Sequence, residues 1–152
     1  MSIDLLVFGP HPDDIEIGLG GTIARHTAVG DQVGLCDLTE GELSSNGTVE
    51  TRRSEAAAAA RVLGAVFREN LKWPDGGIED TPAMIRSAVE VIRRHRPRTV
   101  AIPYWDDRHP DHVAASHTPR TVIKMVILFI VSLPFTNELL SQRLPRQVTF
   151  FR

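Results

Sequence analysis

Short apolar runs alternate with helical stretches from Ile3 to Tyr104, and this alternation constrains the fold more than any other feature. Ile3 to Gly9 is apolar and ends at Gly9-Pro10, which suits a strand buried on both faces. Asp13 to Val29 follows as a helix, with Ile15, Leu19, Ile23 and His26 at spacings of three and four, closed by Gly30. Gln32 to Leu38 reads as a second strand, and the polar, glycine-containing segment Thr39 to Gly47 as a loop. The alanine-rich stretch Glu50 to Leu63 predicts a helix ended by Gly64. Val66 to Leu71 is a third strand, and Trp73-Pro74-Asp75-Gly76-Gly77 has turn chemistry. Met84 to Arg94 predicts a third helix with Ile85, Val89 and Ile92 on one face. Arg98 to Tyr104 is a fourth strand whose Pro103 marks its end.

Such alternation predicts an α/β chain: a Rossmann-like three-layer sandwich around a mainly parallel sheet with right-handed crossovers. If the strand order is 3-2-1-4, strands one and four are neighbours. Their carboxyl ends then flank the crevice where open α/β sheets bind ligands.

The 152 residues are read as a single domain with one core. Apolar residues at 42% and charged residues at 24% match an ordinary globular chain. A formal charge of −2 lacks the basic excess of a nucleic-acid binder, so no nucleic-acid partner is expected. Cys36 stands alone in the apolar run Val33-Gly34-Leu35-Cys36 and is expected to be a buried thiol. The first residues lack the cationic start and long apolar stretch of a signal peptide, which makes the cytoplasm the expected location. Thr121 to Phe135 is apolar but interrupted by Lys124 and shorter than the roughly 20 residues of a membrane span. A buried strand or helix is expected there, and no span. Asn137 to Arg152 carries no legible pattern.

Chemistry concentrates in two loops. The one after strand one reads Gly9-Pro10-His11-Pro12-Asp13-Asp14-Ile15-Glu16, and the one after strand four reads Asp106-Asp107-Arg108-His109-Pro110-Asp111-His112. Each holds His-Pro-Asp, with the proline where a helix would start. His11 and Asp14 are three residues apart, as are His109 and His112, so each pair can share one face of a first turn. Asp13 and Asp14 also suit simple helix capping. Two such motifs at neighbouring strand ends favour one joint site. Imidazoles and carboxylates in that arrangement suit a divalent transition metal, and three protein ligands leave a position for water. A carboxylate beside that water, such as Asp13, can take its proton.

Four motifs in this order resemble the LmbE-like, or PIG-L, zinc-dependent N-acetylglucosamine deacetylases. They are Pro10-His11-Pro12-Asp13-Asp14-Ile15-Glu16, Arg52-x-x-Glu55 heading the helix that ends Leu63-Gly64, Pro74-Asp75-Gly76, and His109-Pro110-Asp111-His112. Leu38 to Thr48 resembles the bacillithiol-biosynthesis branch, whose substrate is N-acetylglucosaminyl malate. The resemblance covers about Ile3 to Ser116, the family-like core. From His117 to Arg152 the chain follows an atypical continuation, as in a truncated or altered C-terminal part.

The resemblance implies that His11, Asp14 and His112 hold Zn2+ and that Asp13 is the general base. It also implies that His109 assists the tetrahedral intermediate, that Asp111 orients a nearby imidazole, and that Arg52 binds substrate, for instance a malate carboxylate. Iron, manganese or cobalt would also suit a His₂Asp set. The expected partner is a small amino-sugar conjugate, and a homo-oligomer is compatible with the sequence. The alternative is a metal-binding or interaction module without catalysis. Dinucleotide binding is disfavoured because Gly18-x-Gly20-Gly21 lies well inside the first helix, away from the tight turn that would cradle phosphate.

Overall fold

The computed structural model describes residues 3–117 and 147–151. Its elements are β1 (Leu5–Gly9), α1 (Asp14–Ala28), β2 (Val33–Thr39), α2 (Val49–Val62), β3 (Phe67–Trp73), α3 (Pro82–His95), β4 (Thr99–Pro103), a helical stretch α4 over 110–117, and β5 (Gln147–Phe151). The strands form one sheet in the order β3-β2-β1-β4-β5, every neighbouring pair parallel. The expected 3-2-1-4 order is present and gains a fifth strand. β5 pairs with β4 from Thr99↔Gln147 to Pro103↔Phe151, within the stretch that showed no sequence pattern. Its β-branched and aromatic residues favour extended backbone, but five residues are too few for an alternation to stand out. The apolar run 121–135 lies outside the described residues. Among the described residues no helix is long and apolar enough to cross a membrane.

Strand alternation builds the three layers. Leu5 and Val7 of β1 face a cluster completed by Ile15 and Ile23 of α1, Leu35 of β2 and Ala60 of α2. Leu6 and Phe8 face the opposite cluster, with Leu38 of β2, Val91 and Ile92 of α3, Ile102 of β4 and Ala115 of α4. Both faces of β1 and β2 are covered, which is why these strands read as continuous apolar runs. Burial of each large side chain such as Phe8 or Leu6 contributes about 1.5–3 kcal/mol. Cys36 is fully buried, as expected, and burial pushes its thiol pKa up.

One charged cluster penetrates this apolar frame. Arg68 of β3, only 7% exposed, donates from Nε and Nη2 to the two carboxylate oxygens of Asp37 at 2.7 and 2.8 Å. Its Nη1 meets Glu16 Oε1 at 2.5 Å and the Ala56 carbonyl at 3.2 Å. One guanidinium thus ties β3 to β2, α1 and α2, and it pins the first turn of α1 through Glu16. Burial opposes charge on Arg68, but its hydrogen bonds to Asp37 and Glu16 overcome this and raise its pKa. Arg68→Met would leave two carboxylates facing each other without a cation, so the variant should lose about 3–5 kcal/mol of stability in urea denaturation. A loss below about 1 kcal/mol would show that the carboxylates rehydrate freely.

Candidate active site

The loop after β1 turns sharply. Gly9 approaches Ile15 so closely that an added Cβ would lie 2.6 Å from its Cγ1. Contrary to the sequence expectation, Pro12 does not open α1. The helix begins at Asp14, and Asp13 occupies the cap position with φ 117° and no side-chain cap bond. A non-glycine residue with that φ is strained by about 1–3 kcal/mol, and such strain persists only where surrounding contacts enforce it. Arg52 supplies them: Nη2 donates to the Pro12 carbonyl at 2.5 Å and lies 3.3 Å from Asp13 Oδ2. Freed from capping, the Asp13 carboxylate is 56% exposed at the cavity edge. Asp14 reaches back instead, its Oδ2 accepting the His11 backbone N–H at 3.0 Å.

The second loop follows the expectation. Helix α4 starts at Pro110, and the His112 backbone N–H donates to the His109 carbonyl at 3.1 Å. Because β1 and β4 are paired, the two loops meet. Asp14 Oδ2 stands 3.1 Å from His11 Nδ1 and 3.3 Å from His112 Nε2. His109 packs edge-on to His11, with ring centroids 4.9 Å apart.

What stands behind each imidazole decides whether these residues suit a metal. His11 turns Nε2 to Asp111 Oδ2 at 3.0 Å and to Asp75 Oδ1 at 3.1 Å, while His112 turns Nδ1 to Asp107 Oδ2 at 3.2 Å. In both rings one nitrogen faces Asp14 and the other faces a carboxylate. That is the pattern by which outer carboxylates fix the tautomer of ligating histidines. A His₂Asp donor set with braced rings therefore suits a divalent transition metal. Among the described residues, the groupings whose ligand atoms all lie within 4.8 Å of one another are the His11, His109 and His112 nitrogens, and His11 with Asp75 and Asp111; Asp14 Oδ2 meets one nitrogen each of His11 and His112. The grouping with Asp75 and Asp111 is on the braced edge of His11, away from Asp14.

All seven residues singled out in the sequence, His11, Asp13, Asp14, Arg52, His109, Asp111 and His112, thus fall in one region. Asp75, Gly76 and Asp107 join them without an advance role. The Gly76 N–H donates to Asp111 Oδ2 at 2.8 Å, and Asp75 Oδ2 accepts the Leu43 N–H at 2.9 Å. Pro74-Asp75-Gly76 was legible as a turn and as one of the motifs of the family resemblance, but neither reading gave its residues these contacts. Asp107, two residues before His109, gave only its carboxylate as a hint.

Beside the site is a cavity of about 390 Å³ lined by His11, Asp13, Ser44, Asn46, Arg52 and His109, among others. Arg52 is 14% exposed and donates from Nη1 to Ser44 Oγ at 3.2 Å, while its buried Nε has no partner among the described residues. Gly41, at φ 66°, makes room for it, since a Cβ there would come within 2.8 Å of that Nε. Arg53, by contrast, lies 62% exposed against Glu40.

Burial alone would depress the His11 imidazolium, but hydrogen bonds to Asp14 and Asp111 overcome it and raise the pKa to about 9. Burial likewise works against the Asp14 charge, and hydrogen bonds from His11 and His112 hold its pKa well below the carboxylate range. Asp13 is raised, by burial first, with Arg52 opposing. For the metal-free chain the sign follows from the raised His11 value. Its contribution is complete below pH 6.5, the unfolded value, and disappears as pH rises through about 9. Denaturation in chelator should therefore show a loss of up to about 3 kcal/mol from pH 6.5 to 9.5. A flat profile would mean that His11 carries no proton in the metal-free fold.

Residues 6–123 match the PIG-L family, described as GlcNAc-PI de-N-acetylase. This match runs past Ser116, where the motif resemblance ended. The chain is 36% identical over 118 residues to the diacetylchitobiose deacetylase of Thermococcus kodakarensis, covering 71% of this chain and 44% of that protein. It is 34% identical over 142 residues to a 1D-myo-inositol 2-acetamido-2-deoxy-alpha-D-glucopyranoside deacetylase of Saccharopolyspora erythraea, covering 70% and 51%. A solved structure of a conserved protein from Thermus thermophilus superposes with TM-score 0.85 at 43% identity, over 98% of this chain and 66% of that one. The chain spans about half the length of these two curated relatives. With the two His-Pro-Asp loops converging on one crevice and the match running through both, the chain belongs to the PIG-L family.

Proposed function

We propose that this chain hydrolyses the acetamido group of an N-acetylglucosamine conjugate, using one divalent metal, with zinc the best suited, held by His11, Asp14 and His112. The observation that carries this reading is the Asp14 carboxylate oxygen facing two imidazoles whose far nitrogens are engaged by carboxylates. A metal bound there supplies a Lewis acid and a water of lowered pKa. Asp13, beside the ligands and with a raised pKa, accepts the proton of the attacking water. His109 hydrogen-bonds the oxyanion or delivers a proton to the departing nitrogen. The amide C–N bond breaks as water adds its oxygen to the acetyl carbon, and acetate and a free amine leave.

The diacetylchitobiose and inositol acetamidoglucoside deacetylases among its relatives support an N-acetylated glucosamine unit at the reacting end. The likeness of Leu38 to Thr48 to the bacillithiol branch makes N-acetylglucosaminyl malate the preferred conjugate. Arg52, which lines the cavity and carries a planar fork suited to carboxylates, supports an anionic or hydroxyl-rich group there.

The test measures metal content and acetate release together on N-acetylglucosaminyl malate and simpler N-acetylglucosamine derivatives. One metal per chain and metal-dependent acetate release are expected. Asp13→Asn should keep the metal and the melting temperature while losing about 100-fold or more of the rate. Undiminished turnover in that variant would remove Asp13 as the base. Stoichiometric metal with no acetate from any N-acetyl sugar would favour a non-catalytic metal-binding module.

A further inference from the structure

The loop carrying the second His-Pro-Asp motif is governed by a side chain that the proposed reaction does not use. Asp107 Oδ1 accepts the His109 backbone N–H at 2.9 Å, and Oδ2 stands 3.2 Å from His112 Nδ1. One carboxylate therefore holds the backbone of the first histidine and the ring of the second.

We infer that Asp107 is a positioning residue that locks His112 in its metal-binding tautomer and orientation. The inference rests on His112 being a ligand, as proposed above. A neutral imidazole carries one N–H. With a carboxylate at Nδ1 the proton stays on that nitrogen, and Nε2, 3.3 Å from Asp14 Oδ2, keeps its lone pair for the metal. Without it, the proton can move to Nε2 and block the ligand position, and the ring can rotate.

The two ligand histidines are braced unequally. His11 is held by Asp111, 3% exposed, and by Asp75, 10% exposed. Among the described residues, His112 has Asp107 as the carboxylate on its Nδ1 edge, and that side chain is 28% exposed. Asp111 is built into the fold, whereas Asp107 sits at the rim, where a substitution opens no cavity. Its removal should act on the metal and spare the fold.

Asparagine separates the two contacts of Asp107. Its carbonyl oxygen can still accept the His109 N–H, but its amide nitrogen cannot accept a proton from His112 Nδ1. The experiment is a zinc titration of the full chain against a chromophoric chelator for wild type, Asp107→Asn and His112→Ala, with the metal-free melting temperature of each. Asp107→Asn should bind zinc roughly 10–100-fold more weakly with an unchanged metal-free melting temperature. Affinity within twofold of wild type in Asp107→Asn, while His112→Ala has lost its affinity, would overturn the inference and leave the metal site standing. A fall in affinity matched by a fall in metal-free melting temperature would also overturn it, because it would mark a structural role. Wild-type affinity in His112→Ala would remove the metal-site reading and this inference together.

Discussion

Direct pairing of β1 with β4 is the constraint on which the site depends. Leu5, Leu6 and Val7 lie in register with Thr99, Val100 and Ala101, so two chain segments a hundred residues apart leave the sheet side by side at its carboxyl edge. Parallel order is essential to this, because it points both strand ends and the following helix starts the same way. The apolar layers on either face fix the register, since a slip of one residue would turn Leu6 and Phe8 toward the wrong cluster. Arg68 adds a second restraint by anchoring Glu16 in the first turn of α1, two residues from Asp14. The spacing of His11, Asp14 and His112 at the top of the sheet is thus set by packing and ion pairing below it.

Charge at the crevice is unbalanced in a way that suits a cation. Asp13, Asp14, Asp75, Asp107 and Asp111 converge there, with Arg52 beside Asp13 as partial compensation. His112 is raised chiefly by its hydrogen bond to Asp14, and His11 by those to Asp14 and Asp111, so these carboxylates favour positive charge at the imidazoles. A metal there would compete with protons for the same atoms, which couples its affinity to pH.

Much of this was legible in the sequence for identifiable physical reasons. Continuous apolar runs betray strands covered on both faces, and the repeated His-Pro-Asp after two of them marks the crevice without reference to coordinates. Helix capping was harder to read. Asp13-Asp14 looks like an ordinary acidic first turn, yet Asp13 is strained and Asp14 turns back onto His11. Local spacing holds no sign of that, because the strain is held by Arg52, distant in sequence. The bracing roles of Asp75 and Asp107 were not legible either: each becomes a brace only when a long-range contact or a loop conformation brings an imidazole to it. β5 was invisible because it alternates polar and apolar over only five residues, where β1 and β4 of the same length read as continuous apolar runs.

The proposed function requires that Asp14 Oδ2, His11 Nδ1 and His112 Nε2 share one divalent metal. Anomalous diffraction at the zinc edge from crystals of the zinc-loaded chain tests it most directly. A single strong peak about 2.0–2.2 Å from each of those three atoms is expected. A peak on the far edge of His11, bound by Asp75 and Asp111, or one held by His109 in place of Asp14, would contradict it.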